Sequence, residues 1–456
     1  MDDAIFDRIG AALAPLRLLH PLGRVTGVAG GTVQFQADPD HKVRIGDRAE
    51  IRTADGPRGG EVVKLGVPDM HLLVDGPTDG VSIDDPVVLS PVHPFAPDDS
   101  WIGRVIDPDG RPLDGRVLLP GTRPRAIRAA PPAAAERRAM GARLDTGLAV
   151  FNTLLPLVAG QRIGLFAGSG VGKSSLLGDL ARGVAADVIV IALVGERGRE
   201  LRHFIEEVLG PEGMARAVVV TATSDRPPQV RRRCALAAMA VAEHFRDDGR
   251  QVLLLVDSVT RFCEAHREVA VANGEAANLR GYPASTMQAI AALCERAGPG
   301  AGDAGDITAV FSVLVAGSDM EEPVADMLRG VLDGHVVLDR EIAEAGRFPA
   351  VDVLRSVSRA LPAAASPQEN QMIAEARAML GRYARSEMMI QAGLYTPGSD
   401  PKLDAAINAM PALQAFLSIK DNRGVLAHFA KLRQAMVNTP MQPDPRGTGT
   451  RPERAG

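Results

Sequence analysis

The spacing of hydrophobic positions divides the chain into regions of different character. Between about residues 20 and 90, short runs of alternating apolar and polar residues, such as 33–36 and 48–52, lie between turns rich in Gly and Asp. Alternation with a period of two places every second side chain on one face, as in a half-buried β-strand. Many short strands at this spacing predict a small β-barrel.

The middle of the chain, from about 145 to 365, has continuous apolar runs separated by segments of helical periodicity. The apolar runs are 188–194, 217–221, 252–256 and 308–315. Strands that are apolar on both faces and separated by helices are typical of a parallel sheet covered on both sides. Only helical periodicity remains beyond residue 366, and it predicts a helical C-terminal domain from three segments, 366–392, 402–418 and 424–437.

The two ends of the chain have their own patterns. Residues 3–17 predict an amphipathic helix, whose apolar face consists of Ile5, Phe6, Ile9, Leu13 and Leu16. This face can pack on its own domain or bind a partner, and both roles stay open. The Pro-, Arg- and Gly-rich end predicts disorder. The expected division is an N-terminal helix (1–18), a β-barrel (19–95), a sheet domain (96–365), a helical domain (366–438) and a tail (439–456).

A phosphate-binding loop is predicted between the strand-like segment 162–166 and the helix-like segment 175–182. The loop reads Ala167, Gly168, Ser169, Gly170, Val171, Gly172, Lys173, Ser174, and the helix continues with Ser175. Its glycines let backbone N–H groups converge on phosphates, and the helix N-terminus adds its positive end. Lys173 is expected to reach the β- and γ-phosphates, and the Ser174 hydroxyl to bind Mg²⁺. The segment therefore predicts ATP and Mg²⁺ at this site.

Acidic residues follow two other predicted core strands. Asp257 ends the run 251–257 and is expected to belong to the Mg²⁺ shell. Arg261, four residues later, could reach the γ-phosphate or instead form a salt bridge. Glu196 follows the run 188–194 at a strand's carboxyl end, where open α/β sheets place their sites. A carboxylate there could polarise the attacking water, although such clusters also occur at solvated helix starts.

Composition and charge narrow the functional class. The net charge of −5 gives no general attraction to nucleic acid, which weakens an RNA-translocating ring as an alternative. Three isolated cysteines, Cys234, Cys263 and Cys294, predict small buried thiols in a reducing compartment. The N-terminus lacks a signal peptide, and no stretch approaches the roughly twenty apolar residues of a membrane span. These features predict a cytoplasmic protein.

The motifs, in this order, resemble the catalytic subunits of rotary ATP synthases and their relatives, the type III export ATPases, over residues 20 to 440. The most specific stretch is 349–359, which ends in Ser358 and Arg359. The resemblance implies an α/β fold, with a RecA-like P-loop domain and parallel sheet preceded by a small β-barrel and followed by a helical domain. Flagellar members are the most similar, from the stretches 166–174, 195–200, 222–227 and 329–335.

The resemblance also implies roles for single residues. Glu196 is expected to activate water, with Arg197 supporting the phosphate network. Asp257 is expected in the Mg²⁺ shell and Arg261 opposite the γ-phosphate. Arg359 takes the place of an arginine finger that serves the neighbouring subunit's nucleotide. The two aromatic positions implied at the adenine are Phe348, for which core packing is the alternative, and Tyr395.

The implied function is ATP hydrolysis by a homo-hexameric ring that energises flagellar type III protein export, releasing chaperones and feeding substrates. The implied partners are a stator-like regulatory protein at the N-terminal helix, a central stalk protein, the export gate and chaperone–substrate complexes. Peripheral association with the inner membrane and no nucleic acid are expected. The alternatives are an injectisome ATPase and a non-catalytic ring subunit, against which Glu196 argues. Ala276, Ala277 and Ala284 stand where relatives usually have prolines, in a region expected to face the ring's centre.

Overall fold

The computed structural model describes residues 2–13, 22–29, 31–38, 41–89, 95–278, 280–315 and 320–437. The predicted tail at 439–456 lies outside these residues, as does the end of the predicted N-terminal helix. Within them, the chain forms a β-barrel, a large mixed sheet covered by helices, and a helical C-terminal region. The predicted fold class is confirmed.

The barrel is closed by six antiparallel strands in the order β1-β2-β5-β4-β3-β6. Their bounds are β1 Leu22–Ala29, β2 Thr32–Ala37, β3 Arg48–Thr53, β4 Gly56–Lys64, β5 Met70–Val74 and β6 Pro86–Leu89. The alternation in the sequence explains the core, because Val33 and Phe35 on β2 and Ile51 on β3 point inwards and are fully buried. The outward positions between them remain accessible to solvent.

The central sheet has nine strands, eight of them in the order β15-β14-β8-β13-β11-β9-β10-β7, with β12 paired to β13. The bounds are β7 Arg104–Ile106, β8 Arg162–Ala167, β9 Val188–Glu196, β10 Ala217–Thr223, β11 Val252–Asp257, β12 Gly298–Pro299, β13 Asp306–Leu314, β14 Gly334–Leu338 and β15 Val351–Ser358. All neighbours are parallel except the pairs that involve β12 or β15. The central strands are buried on both faces, which explains their unbroken apolar runs.

Helices cover both faces of this sheet and build two separate cores. One face carries α6 Pro228–Asp247, α7 Val259–Ala272, α8 Ser285–Glu295 and α9 Pro323–Val331. The other face carries α2 Ala149–Asn152, α3 Lys173–Gly183 and the C-terminal helices. The remaining helices before the C-terminal region are short: α4 Gly198–His203, which continues as a π-turn over Phe204–Leu209, α5 Gly210–Met214 and α10 Arg340–Glu344.

The C-terminal region consists of α11 Pro367–Gln391, α12 Pro401–Leu417 and α13 Val425–Val437. Its first helix begins with a capping box, in which Ser366 and Glu369 satisfy each other's backbone N–H groups. Asp400 caps the second helix in a similar way. Leu413 and Leu432 pack into the core that also contains α2 and α3. Lys420 forms an ion pair with Asp179 on α3, so this region contacts the helix that follows the predicted phosphate loop.

The N-terminal helix α1, Asp2–Leu13, contacts the rest of the chain through a polar residue. Arg8 forms an ion pair with Asp98 at 3.0 Å and donates to the Ser100 hydroxyl at 2.7 Å. The apolar side chains described on this helix are exposed, Phe6 by 70% and Leu13 by 57%. The part of the predicted apolar face that the structure describes, Phe6, Ile9 and Leu13, is therefore exposed in the single chain, whereas the sequence pattern gives no reason to expect an anchoring arginine.

The barrel is tied to the sheet domain through α6. Glu61 on β4 is buried and accepts from Arg232 at 3.2 Å and Arg233 at 3.3 Å. Gln229 in the first turn of α6 donates to the Val74 carbonyl at 2.9 Å. A buried carboxylate between two guanidinium groups is strongly directional, so these contacts fix the barrel against the start of α6.

The three cysteines are buried free thiols, as predicted. Burial raises the pKa of all three thiols well above the usual value. In the part of the chain that the structure describes, no helix combines the length and apolarity needed to cross a membrane.

Candidate active site

The predicted phosphate loop lies between β8 and α3. Gly170 and Gly172 have φ of +78° and +84°, in the left-handed region that favours glycine. Val171 is buried and anchors the loop, whereas Ser169 and Ser174 are exposed. The loop therefore opens towards solvent at the N-terminus of α3, where backbone N–H groups attract anions.

Asp257, at the end of β11, lies next to this loop. The Lys173 ammonium forms an ion pair with the Asp257 carboxylate, which is 3% exposed. On β13, between β11 and β8, the Ser312 hydroxyl donates to Asp257 Oδ1 at 2.6 Å. Ser312 is not predicted as a site residue. The signal that could have identified it is a polar residue within the apolar run 308–315, but its partner depends on the strand register.

Glu196 ends β9 on the same edge of the sheet. The pairing with β10 shifts by one residue at Gly195, whose φ is +68°. A bulge of this kind redirects the next side chain, and only glycine adopts this φ without strain. Ser224 donates its backbone N–H to the Glu196 carbonyl at 3.0 Å and holds the end of the strand. The bulge therefore sets the direction of the predicted catalytic carboxylate.

The environment of Glu196 favours its protonated form. Burial, a hydrogen bond with the Glu200 carboxyl and the negative charge of Asp257 raise the pKa of Glu196 to about 7, against the opposing charge of Lys173. The same hydrogen bond lowers the pKa of Glu200. A carboxyl group with a pKa near neutrality can exchange a proton at the operating pH, as general acid–base catalysis requires.

The two predicted arginines on this edge are bound to carboxylates. Arg197 is exposed and its Nη1 lies 3.3 Å from Glu200 Oε1. Arg261, in the first turn of α7, pairs with Glu264 at 3.1 Å. Its side chain lies 3.6 Å from where a Cβ on Gly195 would be. Arg261 is thus beside the bulge that carries Glu196, and both arginines are at the rim of the site.

Phe348 is beside the phosphate loop. Its ring carbons lie 3.2 Å from where a Cβ on Gly172 would be, and the side chain is 44% exposed. A ring that touches the loop and also faces solvent has an open surface for a planar base. This placement suits the predicted stacking better than core packing.

The donor set suits magnesium bound together with a nucleotide. The Ser174 hydroxyl and the Asp257 carboxylate are hard oxygen donors, and Mg²⁺ usually combines one or two such ligands with substrate phosphates and water. Among the described residues, no group of three or more His, Cys, Asp or Glu side chains could hold a metal ion by itself. The site therefore fits Mg²⁺ that arrives with its nucleotide.

Comparisons with known proteins agree with this arrangement. Residues 147–358 match the nucleotide-binding domain of the ATP synthase alpha/beta family, and residues 365–436 match the C-terminal domain of the type III secretion ATPase EscN. The chain is 43% identical over 417 residues to the flagellum-specific ATP synthase of Caulobacter vibrioides, in a match that covers 89% of this chain and 94% of that protein. The chain belongs to the ATP synthase alpha/beta family.

Solved structures give the same result for the fold. The assembled ATPase EscN of the enteropathogenic E. coli type III secretion system matches with a TM-score of 0.84 at 35% identity, over 91% of this chain and all of that one. EscN in complex with its central stalk EscO matches over the same shares with a TM-score of 0.82 at 35% identity. This member of the ATP synthase alpha/beta family is an ATP-hydrolysing enzyme related to the flagellum-specific ATP synthases, as predicted.

Arg359 of this ATP synthase alpha/beta family member lies away from its own phosphate loop. It follows β15, whose last residue, Ser358, pairs with Gly334 at the start of β14. The end of β14 pairs with Ala167, directly before the phosphate loop. Along β14, four residues separate the position that pairs with Ser358 from the position that pairs with Ala167. This separation is about 13 Å at roughly 3.3 Å per residue. Arg359 itself is accessible to solvent and donates to the Arg329 carbonyl at 3.0 Å.

Tyr395 is held within the C-terminal region. Its hydroxyl donates to Asp404 Oδ1 at 2.8 Å and to the Asp400 carbonyl at 3.2 Å. The described contacts do not join it to the phosphate loop or to Phe348. The structure therefore brings together Lys173, Asp257 and Glu196, with Phe348 beside the loop, whereas Arg359 and Tyr395 are apart from them.

Proposed function

We propose that this chain forms a homo-hexameric ring that hydrolyses MgATP and energises flagellar type III protein export by releasing chaperones and feeding substrates. The observation that carries the proposal is the division of catalytic groups in one chain. Lys173, Asp257 and Glu196 lie at the carboxyl edge of the sheet, and Arg359 is accessible near the opposite edge. Arg359 can therefore serve this nucleotide only when a neighbouring copy supplies it.

Within the site, each residue has one task. The loop amides and Lys173 bind the phosphates, while Phe348 stacks on the base. Ser174 would hold Mg²⁺, with Asp257 in its shell through water, and the ion would neutralise charge on the phosphates. Glu196 orients the attacking water and takes its proton, and Arg261 supports the γ-phosphate from the rim. Arg197 supports the phosphate network after leaving Glu200. Tyr395 closes the base side when the C-terminal region moves.

The ring also accounts for Arg359. Charge accumulates on the transferring phosphoryl group, and a guanidinium supplied by a neighbour stabilises it only in the closed assembly. Because every copy holds both Glu196 and Arg359, six identical interfaces are equivalent, which supports a homo-hexamer. EscN has been solved in complex with its central stalk EscO, and we infer a comparable stalk here. The exposed residues Ala276, Ala277 and Ala284 lie where we expect it to make contact.

The exposed apolar face of α1 supports a regulatory partner. Phe6 and Leu13 are accessible while Arg8 anchors the helix, so a stator-like protein could cover this face. We propose that this partner, together with the export gate, holds the ring at the cytoplasmic face of the inner membrane.

The test is the ATPase rate per subunit against protein concentration, for the wild type and Glu196→Gln in parallel. A rate that rises steeply with concentration and is lost in the variant supports a ring whose catalytic carboxylate is Glu196. A flat rate that the variant does not change contradicts both the ring mechanism and the site assignment.

A further inference from the structure

One oxygen of Asp257 accepts two donors. Ser312 Oγ donates to Oδ1 at 2.6 Å, and the Lys173 ammonium binds the same oxygen. Ser312 has no exposed surface, and Asp257 is 3% exposed. Among the residues that the structure describes, these are the two side chains that donate to Asp257. Since the Ser312 contact is buried and the Lys173 contact is partly buried, both orient the carboxylate.

The two donors differ in how far they can move. Lys173 has a long flexible side chain on the phosphate loop, and with ATP bound its ammonium is proposed to turn to the phosphates. Ser312 is in the centre of the sheet, where it pairs with Leu165 on β8, and the preceding Phe311 pairs with Val256 on β11. Its hydroxyl therefore stays beside Asp257 when Lys173 leaves.

We propose that Ser312 is a positioning residue for ATP hydrolysis. It would keep Oδ1 of Asp257 in place, so that the carboxylate stays oriented to serve the Mg²⁺ shell when Lys173 turns to the phosphates. Without the hydroxyl, Asp257 in the nucleotide-bound state would lose its remaining buried donor, and its carboxylate would rotate. This inference rests on the proposed nucleotide site.

The test measures how much Mg²⁺ strengthens nucleotide binding. A fluorescent ADP analogue is titrated at a protein concentration below ring assembly, once with EDTA and once with excess Mg²⁺. For Ser312→Ala we expect affinity in EDTA to match the wild type and the Mg²⁺-dependent gain to fall about tenfold, as is usual when a residue that orients a metal ligand is lost. Ser312→Thr, which keeps the hydroxyl, retains the gain. Ser312→Cys, with a similar size and a weaker donor, gives an intermediate gain and keeps the test open if the alanine variant folds poorly.

Thr308→Val is the matched control. Thr308 is also buried on β13, and its hydroxyl accepts from the Gly160 N–H at 3.0 Å, far from Asp257. This variant should lower the melting temperature and leave the Mg²⁺-dependent gain unchanged. An unchanged gain in Ser312→Ala, or an equal loss in Thr308→Val, overturns the inference.

An Asp257→Asn arm separates this inference from the proposed function. If Asp257→Asn loses the gain and Ser312→Ala keeps it, the nucleotide site stands and the role of Ser312 is wrong. If Asp257→Asn keeps the gain, Asp257 does not serve the magnesium shell, and both the site assignment and the inference are wrong. If both Asp257→Asn and Ser312→Ala lose the Mg²⁺-dependent gain and Ser312→Thr retains it, the result supports both the proposed nucleotide site and the role of Ser312.

Discussion

The two edges of the central sheet differ in what they need from other molecules. At the carboxyl edge, Lys173 and Ser312 both already bind Asp257 within the chain. Near the opposite edge, Arg359 is accessible, and its guanidinium donates only to a backbone carbonyl among the described contacts. The carboxyl edge is preorganised before any partner binds, whereas the opposite edge has an arginine that a partner can bind.

The difference shows where control of the reaction can lie. A preorganised edge can bind nucleotide in a single subunit, because its donors and acceptors are in place. In the proposed ring, stabilisation of the transition state needs the other edge of a different copy. Binding and turnover should therefore respond to different variables, and substitutions at the two edges should separate them.

Arg359→Ala should have the largest effect. Losing an arginine finger supplied by a neighbour lowers turnover by about 10³-fold or more, while nucleotide affinity stays near that of the wild type. Turnover at ring-forming concentration and affinity by equilibrium titration check this. Arg355→Ala, four residues earlier on the same strand, is the matched control and should keep most of the turnover. Equal turnover in Arg359→Ala and the wild type contradicts the assignment.

Mixing two inactive variants sharpens the comparison. In rings of Glu196→Gln and Arg359→Ala copies at equal amounts, about one quarter of the interfaces combine an intact Glu196 with an intact neighbouring Arg359. Turnover should therefore recover to about a quarter of the wild-type value, although each variant alone is inactive. Native mass measurement of the mixture verifies that the rings are mixed. No recovery in verified mixed rings contradicts the shared site.

Phe348→Ala should weaken nucleotide binding by about tenfold, which corresponds to the loss of one aromatic stacking contact of about 1 kcal/mol or slightly more. Phe348→Trp keeps a stacking surface and should bind as the wild type does. The measurement is equilibrium binding of ATP and, in parallel, of inorganic triphosphate, which has no base. If Phe348→Ala weakens triphosphate binding equally, the ring supports the loop and does not stack on the base.

The pH dependence should show the smallest effect. The pKa of Glu196 is about 7, so turnover should rise about tenfold per unit below pH 7 and level off above it, as Glu196 ionises. Glu200→Gln removes a neighbour that raises this pKa, and the midpoint should move to lower pH. The control Glu206→Gln, whose carboxylate pairs with Arg202 on the same surface, should leave the midpoint in place. A common midpoint for all three proteins contradicts the role of Glu200.

The raised pKa of Glu196 also makes the stability of the fold depend on pH. The folded chain holds the Glu196 proton more tightly than the unfolded chain, so this group stabilises the fold below its ordinary pKa. That contribution is lost as the pH rises through about 7.

The sequence predicts what is local and misses what depends on strand register. The phosphate loop, the strand ending in Asp257 and the C-terminal helices are each encoded by one continuous segment, so their patterns are sufficient. The role of Ser312 depends on which residue of β11 it faces, and the direction of Glu196 depends on a bulge at Gly195. Neither is visible in a single segment. The anchoring contact of Arg8 with Asp98 joins positions 90 residues apart, so its partner could not be read from the helix pattern.

The separation of Arg359 from its own phosphate loop also has a consequence for the cell. Under the proposed ring mechanism, a newly made copy can carry nucleotide and diffuse without consuming it, because the group that completes the reaction is on another molecule. Rapid hydrolysis then begins only where copies gather. The protein's architecture thus makes its place of assembly the place where cellular ATP is used.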